Sequence, residues 1–352
     1  IRGGSTVQPM LHLFDLPLRA RCGPLVKYVN LGQTGLKVSE FGLGCGNFGG
    51  IGSSPELYGH GETQAEAFAI MDTAVDMGIT FFDTADAYGG GRSEEAIGAW
   101  LAQKSPQIRD QILISSKAFN PVGSGPNDHG LSRRHLMRQV EASLVRLGVD
   151  HLDMYLMHEP DPSTPIEETV RAMHDMVTQG KVRYIGASNM SAWLLMKALW
   201  TSDRLGLHRF AWVQNSYSLL DTSDDAEVIP ACRDQQLGYT PFSPLAGGFL
   251  TGKYQLGDDY PAGSRMTMRP EPYVGWWNET TFAALDEFSQ SAQQHGVSMA
   301  GLALGWLRHH PDVTAPIVGP RRPEHFAPIQ EALELTLSDE EHLRLSSLFS
   351  GI

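Results

Sequence analysis

Four side chains that can take part in proton transfer fall at or just after the ends of three successive apolar runs in this 352-residue chain. Asp83 closes Thr80–Asp83 with Tyr88 five residues on, Lys117 closes Gln111–Lys117, and His158 closes Leu152–His158. Singly, each has a plain explanation: a helix cap, a loop anchor, a surface charge and a satisfied core histidine. Together they share one logic. A tyrosine with a pKa near ~10 is a poor acid at neutral pH unless its phenolate is stabilised. Lys117 can supply that stabilisation as a buried cation, Asp83 can be its counter-ion, and His158 can hydrogen-bond at a substrate oxygen.

Such residues act together only if the fold gathers them. From residue 41 onward, short β-rich runs alternate with longer segments of helical period, the pattern of repeated βα units around a parallel sheet. Eight runs are legible: Phe41–Cys45, Thr80–Asp83, Gln111–Lys117, Leu152–His158, Val182–Ala187, Ala211–Gln214, Gly238–Ser243 and Val313–Gly319. Helix starts lie between them, Thr63 with Glu66, Ser132, and Thr164 with Pro165 and Glu167. Leu136, Val140, Leu144 and Leu147 recur at helical spacing before Gly148 stops that helix. No GxGxxG follows the first run, which counts against an open doubly wound sheet. The expected fold is α/β, a (β/α)8 TIM barrel over residues 27–352 as one domain. It carries an extra C-terminal helix, Ser338–Phe349, opened by Ser338 and Glu341, and long active-site loops, Gly49–Thr63 and Leu256–Trp277. In such a barrel the C-terminal strand ends build the active site, which is where all four side chains fall.

Residues 1–26, with three arginines and one acid, are expected to be an extension outside the fold, either a bland upstream segment or an Arg-containing targeting peptide. The formal net charge of −13 argues against nucleic acid and anionic membranes as partners. Three scattered cysteines, Cys22, Cys45 and Cys232, make neither a disulfide framework nor a CxxC metal site, which suits a reducing cytoplasm. Apolar runs are strand-sized, short of the roughly 20 residues that span a bilayer. The sequons at Asn189 and Asn278 read as coincidental.

From about Tyr28 to Leu348 the chain resembles the aldo-keto reductase family, through the segments YVNLGQTGLKVSEFGLG, FFDTADAYG, ILISSK, LDMYLMHEPDP, GKVRYIGASN, QNSYSLLD, PFSPLAGGFLTGKY and GPRRPEH taken in this order. The resemblance implies a catalytic tetrad of Asp83, Tyr88, Lys117 and His158, and a nicotinamide dinucleotide across the barrel mouth. It implies that Ser188, Asn189 and Gln214 hold the carboxamide, that Tyr217 is an aromatic shelf under the ring, and that Gly44 and Cys45 lie beside the cofactor. Ser243, Pro244, Leu245 and Gly247 then line the pyrophosphate, with Lys253 as charge partner. Gly319, Arg321, Arg322 and His325 occupy the segment for the adenosine ribose phosphate, and two guanidiniums there favour NADPH over NADH.

Departures from the family pattern bear on the substrate. Pro328 and Ile329 stand where Glu and Asn are frequent, Cys45 and Gly46 replace Thr and a bulky residue, and Glu159 follows the catalytic histidine. Phe48, Tyr88, His158, Glu159 and Trp276 are the expected substrate contacts, with Trp277 as a further candidate. Asp150 and Asp153 are expected to make structural hydrogen bonds. The function expected is NADPH-dependent, reversible reduction of an aldehyde or ketone to an alcohol, with Tyr88 as general acid and no metal. One alternative is a nucleotide-binding, redox-sensing accessory subunit with little turnover. A second, a phosphate-handling isomerase or metal hydrolase, lacks a second strand-end histidine to join His158 and Glu159. Monomer and homo-oligomer are both compatible with the pattern.

Overall fold

The computed structural model describes residues 26–352; the expected extension, apart from Val26, lies outside the described residues. Val26 itself is buried in the core. Ten strands follow: β1 Tyr28–Asn30, β2 Lys37–Ser39, β3 Gly42–Gly44, β4 Phe81–Asp83, β5 Leu113–Ala118, β6 Leu152–Met157, β7 Val182–Ser188, β8 Trp212–Gln214, β9 Gly238–Tyr239 and β10 Ile317–Val318. The last eight form one parallel sheet in the order β10, β3, β4, β5, β6, β7, β8, β9. Beyond the ladder, Thr314 N–H donates to Tyr239 O at 2.7 Å and Ile317 N–H to Pro241 O at 2.8 Å. These bonds join the two outer strands, so the sheet curls into the (β/α)8 fold that the alternating pattern predicts.

Most of the expected strands are shorter than the runs that predict them, β9 keeping only two residues of Gly238–Ser243 and β10 two of Val313–Gly319, while β5 and β7 each run one residue further than expected. The antiparallel pair β1–β2 was not among the eight runs. It sits against the N-terminal end of the barrel, where Leu31 and Val38 pack with Phe81, Met154, Leu156, Trp212 and Ile317. Gly32 permits this approach: its φ is +53°, and a Cβ there would lie 2.5 Å from Gly238 N. Along β6, Met154 and Leu156 face this inner cluster while Tyr155 and Met157 join the layer under the helices, the strict alternation of a pleated strand.

The local signals set the helix starts unevenly. Thr63 and Glu66 make a reciprocal capping box. Ser132 accepts from His135 N–H, and Gly148 ends that helix at φ +66°. Thr164 does not cap: its hydroxyl donates to Asp161 Oδ2 at 2.8 Å, and the helix Ile166–Thr178 starts after Pro165 instead. Ser338 caps Asp339–Ser347, but the Glu341 carboxylate turns to Arg344 and His295 rather than back to the cap. Asn278 of the second sequon caps Glu279–His295. No helix among the described residues is long and apolar enough to cross a membrane.

Candidate active site

The ladder brings the four expected residues to one rim. Asp83 pairs with Ser115 across β4–β5, Lys117 with Leu156 across β5–β6, and His158 N–H donates to Ala118 O at 3.1 Å. Tyr88 opens a turn through Gly89, Gly90 and Gly91, all at positive φ, which L side chains resist. A Cβ on Gly89 would lie 2.8 Å from Phe48 O, so this turn fits against the first loop only as glycine.

Lys117 is fully buried. Its Nζ donates to Asp83 Oδ2 at 2.5 Å, to Thr84 O at 2.8 Å and to the Tyr88 hydroxyl oxygen at 3.5 Å. Burial opposes the ammonium's charge, but the Asp83 carboxylate and the Tyr88 oxygen outweigh it and hold its pKa above the usual lysine value. Gln214 Nε2 donates to the other Asp83 oxygen at 3.0 Å, so that carboxylate is satisfied on both sides. Tyr88 OH lies 3.4 Å from His158 Nε2, with the two rings edge to face at 5.5 Å.

Burial raises the Tyr88 pKa and the Lys117 charge lowers it only in part, so the net direction is upward. Lys117 acts in the expected direction on the phenol, but burial outweighs it. The hydroxyl keeps its proton at neutral pH, and the lysine acts on whatever negative charge develops as that proton leaves. Burial and then Lys117 hold the His158 pKa well below the usual histidine value, so the ring is neutral.

On the expected cofactor side, Ser188 Oγ donates to Gln214 O at 2.6 Å, and Asn189 Nδ2 donates to His158 O at 2.9 Å and to Glu159 Oε1 at 3.3 Å. Asn189, Ser243 and Ala246 all hold positive φ without being glycine, a concentration of backbone strain at one rim. Gly44 ends β3, Gly319 follows β10, and Pro244, Leu245 and Gly247 continue the turn after β9, over which Tyr273 and Trp276 pack. Glu159 is half-buried, its pKa raised by burial and partly offset by Arg269.

Several expected contacts do not survive. Tyr217 is fully buried, its ring stacked 5.6 Å from Trp306 and its hydroxyl donating to Asp225, so it offers no face to the mouth. Phe242, just past β9, is half-buried instead, packed against the inner cluster. The Cys45 thiol is buried toward Leu43 O and cannot line a cofactor; only its backbone, bonded to Asp83 and Ser93, belongs to the rim. Phe48 is 1% exposed and belongs to the core rather than to a substrate wall. Ile329 is likewise buried. Trp276 and Trp277 remain half-buried, packed on Phe249. Asp153 accepts from Ile114 N–H at 2.9 Å, the structural role expected of it, and Asp150 pairs with His151.

After β10, Arg321 Nε donates to Glu62 Oε1 at 2.5 Å and Arg322 Nε to His325 Nε2 at 3.0 Å. Lys253 and Arg265 join them in a cationic group. Burial, Arg265 and Arg321 lower the Lys253 pKa; burial, Arg269 and Arg321 lower that of Arg265. Among the described residues, no carboxylate pairs with Lys253, Arg265, Arg269 or Arg322, although the chain carries a net charge of −13. Unpaired, mutually repelling cations in an acidic protein fit a ligand with several negative charges.

Sequence reasoning missed three contributors here. Asn120 Nδ2 lies 3.1 Å from His158 Nδ1; its place three residues past Lys117 on the same strand end was a usable signal. Arg265 lies in the loop Leu256–Trp277 with Asn47 as its one side-chain partner among the described residues, and an arginine in a Gly- and Pro-rich loop at the mouth could have been marked. Glu62 carried no local signal.

Comparison with known proteins agrees with this geometry. The aldo/keto reductase family matches residues 41–349. An uncharacterized oxidoreductase of Bacillus subtilis (strain 168) is 38% identical over 334 residues, covering 93% of this chain and 97% of its own. Versiconal hemiacetal acetate reductase of Aspergillus parasiticus is 33% identical over 337 residues, covering 90% and 95%. A probable voltage-gated potassium channel subunit beta of Oryza sativa subsp. japonica is 34% identical over 315 residues, covering 88% and 92%. With a family match over most of its length, relatives above 30% identity and an eight-stranded parallel barrel, the chain belongs to the aldo/keto reductase family of oxidoreductases.

Proposed function

We propose that this protein reduces an aldehyde or ketone to the alcohol with NADPH, with Tyr88 as the proton donor. The observation that carries the reading is the set of contacts at the Tyr88 oxygen, Lys117 Nζ at 3.5 Å and His158 Nε2 at 3.4 Å, with Asp83 holding Lys117 charged. When bound, the dinucleotide supplies the hydride to the carbonyl carbon. The carbonyl oxygen rests beside Tyr88 and His158. Tyr88 gives up its proton, and Lys117 stabilises the oxygen left behind, an interaction stronger in the transition state than in the ground state.

For the cofactor, Ser188, Asn189 and Gln214 face the nicotinamide end, Phe242 replaces Tyr217 as the ring beneath it, and the Ser243–Gly247 turn with Lys253 takes the pyrophosphate. Arg265, Arg321, Arg322 and His325 take the ribose phosphate. The preference for NADPH rests on the unpaired cations, since a 2′-phosphate supplies the charge they lack. A reducing, cytoplasmic setting suits Cys45 and Cys232, both buried free thiols.

The test is a panel of carbonyl substrates assayed by NADPH consumption, with Tyr88→Phe beside the wild type. Turnover should fall by about 10²–10⁴ in the variant while NADPH affinity, read by tryptophan fluorescence, stays within about twofold. A variant at wild-type rate overturns Tyr88 as the donor. The similarity to potassium channel beta subunits keeps a second reading, a nucleotide-binding accessory subunit. Bound NADP with negligible turnover across the panel, together with a stable partner complex, would favour it.

A further inference from the structure

We propose that Asn120 is a positioning residue that fixes His158 as the tautomer with its proton on Nε2, so that the ring donates toward the reacting oxygen and leaves the Tyr88 proton for the substrate. This deepens the reductase reading and rests on it.

The argument begins with the ladder. Ala118 pairs with Met157 across β5–β6, and His158 N–H donates to Ala118 O. Asn120 lies two residues beyond Ala118 and His158 one beyond Met157, both past the last paired residues, where the two chains leave the ladder together and Asn120 comes within hydrogen-bond reach of the ring. From the other flank, Asn189 Nδ2 donates to His158 O at 2.9 Å. The histidine backbone is therefore clamped on both sides. Only the ring's protonation pattern remains to be chosen.

A neutral imidazole carries one proton and one lone pair, and the partner of one nitrogen sets the role of the other. Asn120 Nδ2 faces Nδ1 at 3.1 Å, and Tyr88 OH faces Nε2 at 3.4 Å. With the amide NH2 donating to Nδ1, the proton sits on Nε2. Were the amide reversed, its oxygen would accept from Nδ1–H and Nε2 would be a bare acceptor beside Tyr88. The phenol would then spend its proton on the histidine. Lys117 Nζ already donates to the Tyr88 oxygen. With Nε2 protonated, the ring offers no acceptor for the Tyr88 hydroxyl hydrogen, which stays free to reach a carbonyl oxygen beside Nε2–H. The amide thus decides whether the tyrosine is an available acid.

The ring's surroundings support a neutral donor. His158 is buried and faces Lys117 and Tyr88 from the neighbouring strand ends; Glu159 adjoins it in the chain and feels the Arg269 charge from the long loop without pairing with it. Its neutrality follows from the burial and the lysine charge, and its tautomer from Asn120.

The experiment is 15N NMR of the imidazoles in the full chain saturated with NADP, with His158 identified by its loss in His158→Asn. The wild type should show a protonated Nε2 and an unprotonated Nδ1. Asn120→Asp, which can only accept when ionised, should move the proton to Nδ1. Asn120→Leu should leave the two tautomers mixed. In both variants kcat should fall by about 10- to 100-fold with KM and NADP affinity little changed, less than loss of a proton-transfer group itself. Asn120→Asp should also bring a new pH dependence into the neutral range, because the added carboxylate favours the charged ring. A wild-type proton on Nδ1, a tautomer unmoved in Asn120→Leu, or full activity in a variant whose tautomer has moved would each overturn the proposal. The tautomer is read without turnover, so a protein that reduced no carbonyl would overturn the reductase reading while leaving the Asn120–His158 relation measurable.

Discussion

Arg321 Nε donates to Glu62 Oε1 at 2.5 Å across 259 residues of chain, and Arg321 Nη1 donates to Gly263 O at 3.1 Å. One guanidinium thus fastens the segment after β10, the end of the first loop and the long loop Leu256–Trp277. The residue expected to serve a 2′-phosphate is also a structural tie. Glu62 is 4% exposed and its second oxygen is buried without a partner.

Replacing Arg321 by Ala should therefore weaken NADPH and NADH alike, whereas Arg322→Ala and Arg265→Ala should weaken NADPH by about tenfold and NADH little. Fluorescence titration with both nucleotides separates these patterns. Arg321→Ala should also cost about 2 kcal/mol of stability, because it strands a buried carboxylate whose partner was partly exposed. Burial already raises the Glu62 pKa, so ionising it in the fold is unfavourable. A raised carboxylate loses stability as pH rises through its folded pKa. The variant's deficit should therefore be largest near neutral pH and shrink toward pH ~4 as Glu62 takes up a proton. A deficit independent of pH would mean that Glu62 is not the stranded group.

The Lys117–Asp83 pair makes a different prediction. Both side chains are buried, so Lys117→Met should destabilise by about 3–5 kcal/mol in chemical denaturation, leaving Asp83 charged without a cation. The double variant Asp83→Asn with Lys117→Met removes both charges and should recover much of that loss. Activity should stay lost in both. Equal stability of the single and double variants would show that the carboxylate does not depend on the lysine.

The pH dependence follows from two opposite shifts. His158 is held below its usual value by burial and Lys117, and Tyr88 is raised by burial, so neither changes charge near neutrality. The kcat/KM profile should be flat between about pH 6 and 9, with no limb near the ordinary histidine value of ~6.5. Stability behaves otherwise. His342, stacked 5.1 Å from Trp306, has its pKa pushed down to about 4. A depressed histidine contributes stability that is present above its unfolded value and lost as pH falls through the folded one. The Tm should fall between pH ~6.5 and about 4, and His342→Gln should flatten that fall without changing turnover at neutral pH.

Asp83, Lys117 and His158 were legible in the sequence because parallel strands present their C-terminal ends at one rim, which turns position in a run into position in space. Tyr88 followed from its distance to Asp83 alone; the glycine turn that brings it back to the rim is seen only in the fold. The hairpin β1–β2 was not legible as a plug, since its short apolar residues have no long period and gain meaning only against Phe81 and Trp212.

What the sequence determined by itself was the order and period of the elements, and so the fold and the rim residues, because both are fixed by local spacing. Only the tertiary structure decided that Tyr217 is fully buried while Phe242 stays partly exposed. That burial depends on the helix Met299–His309, whose Trp306 captures Tyr217. It also decided that Cys45 and Phe48 face the core, that Asn120 meets His158, and that Arg321 is shared with Glu62. These are contacts between separate elements, set by strand register and by the packing of loops far apart in the chain, and no local pattern encodes them.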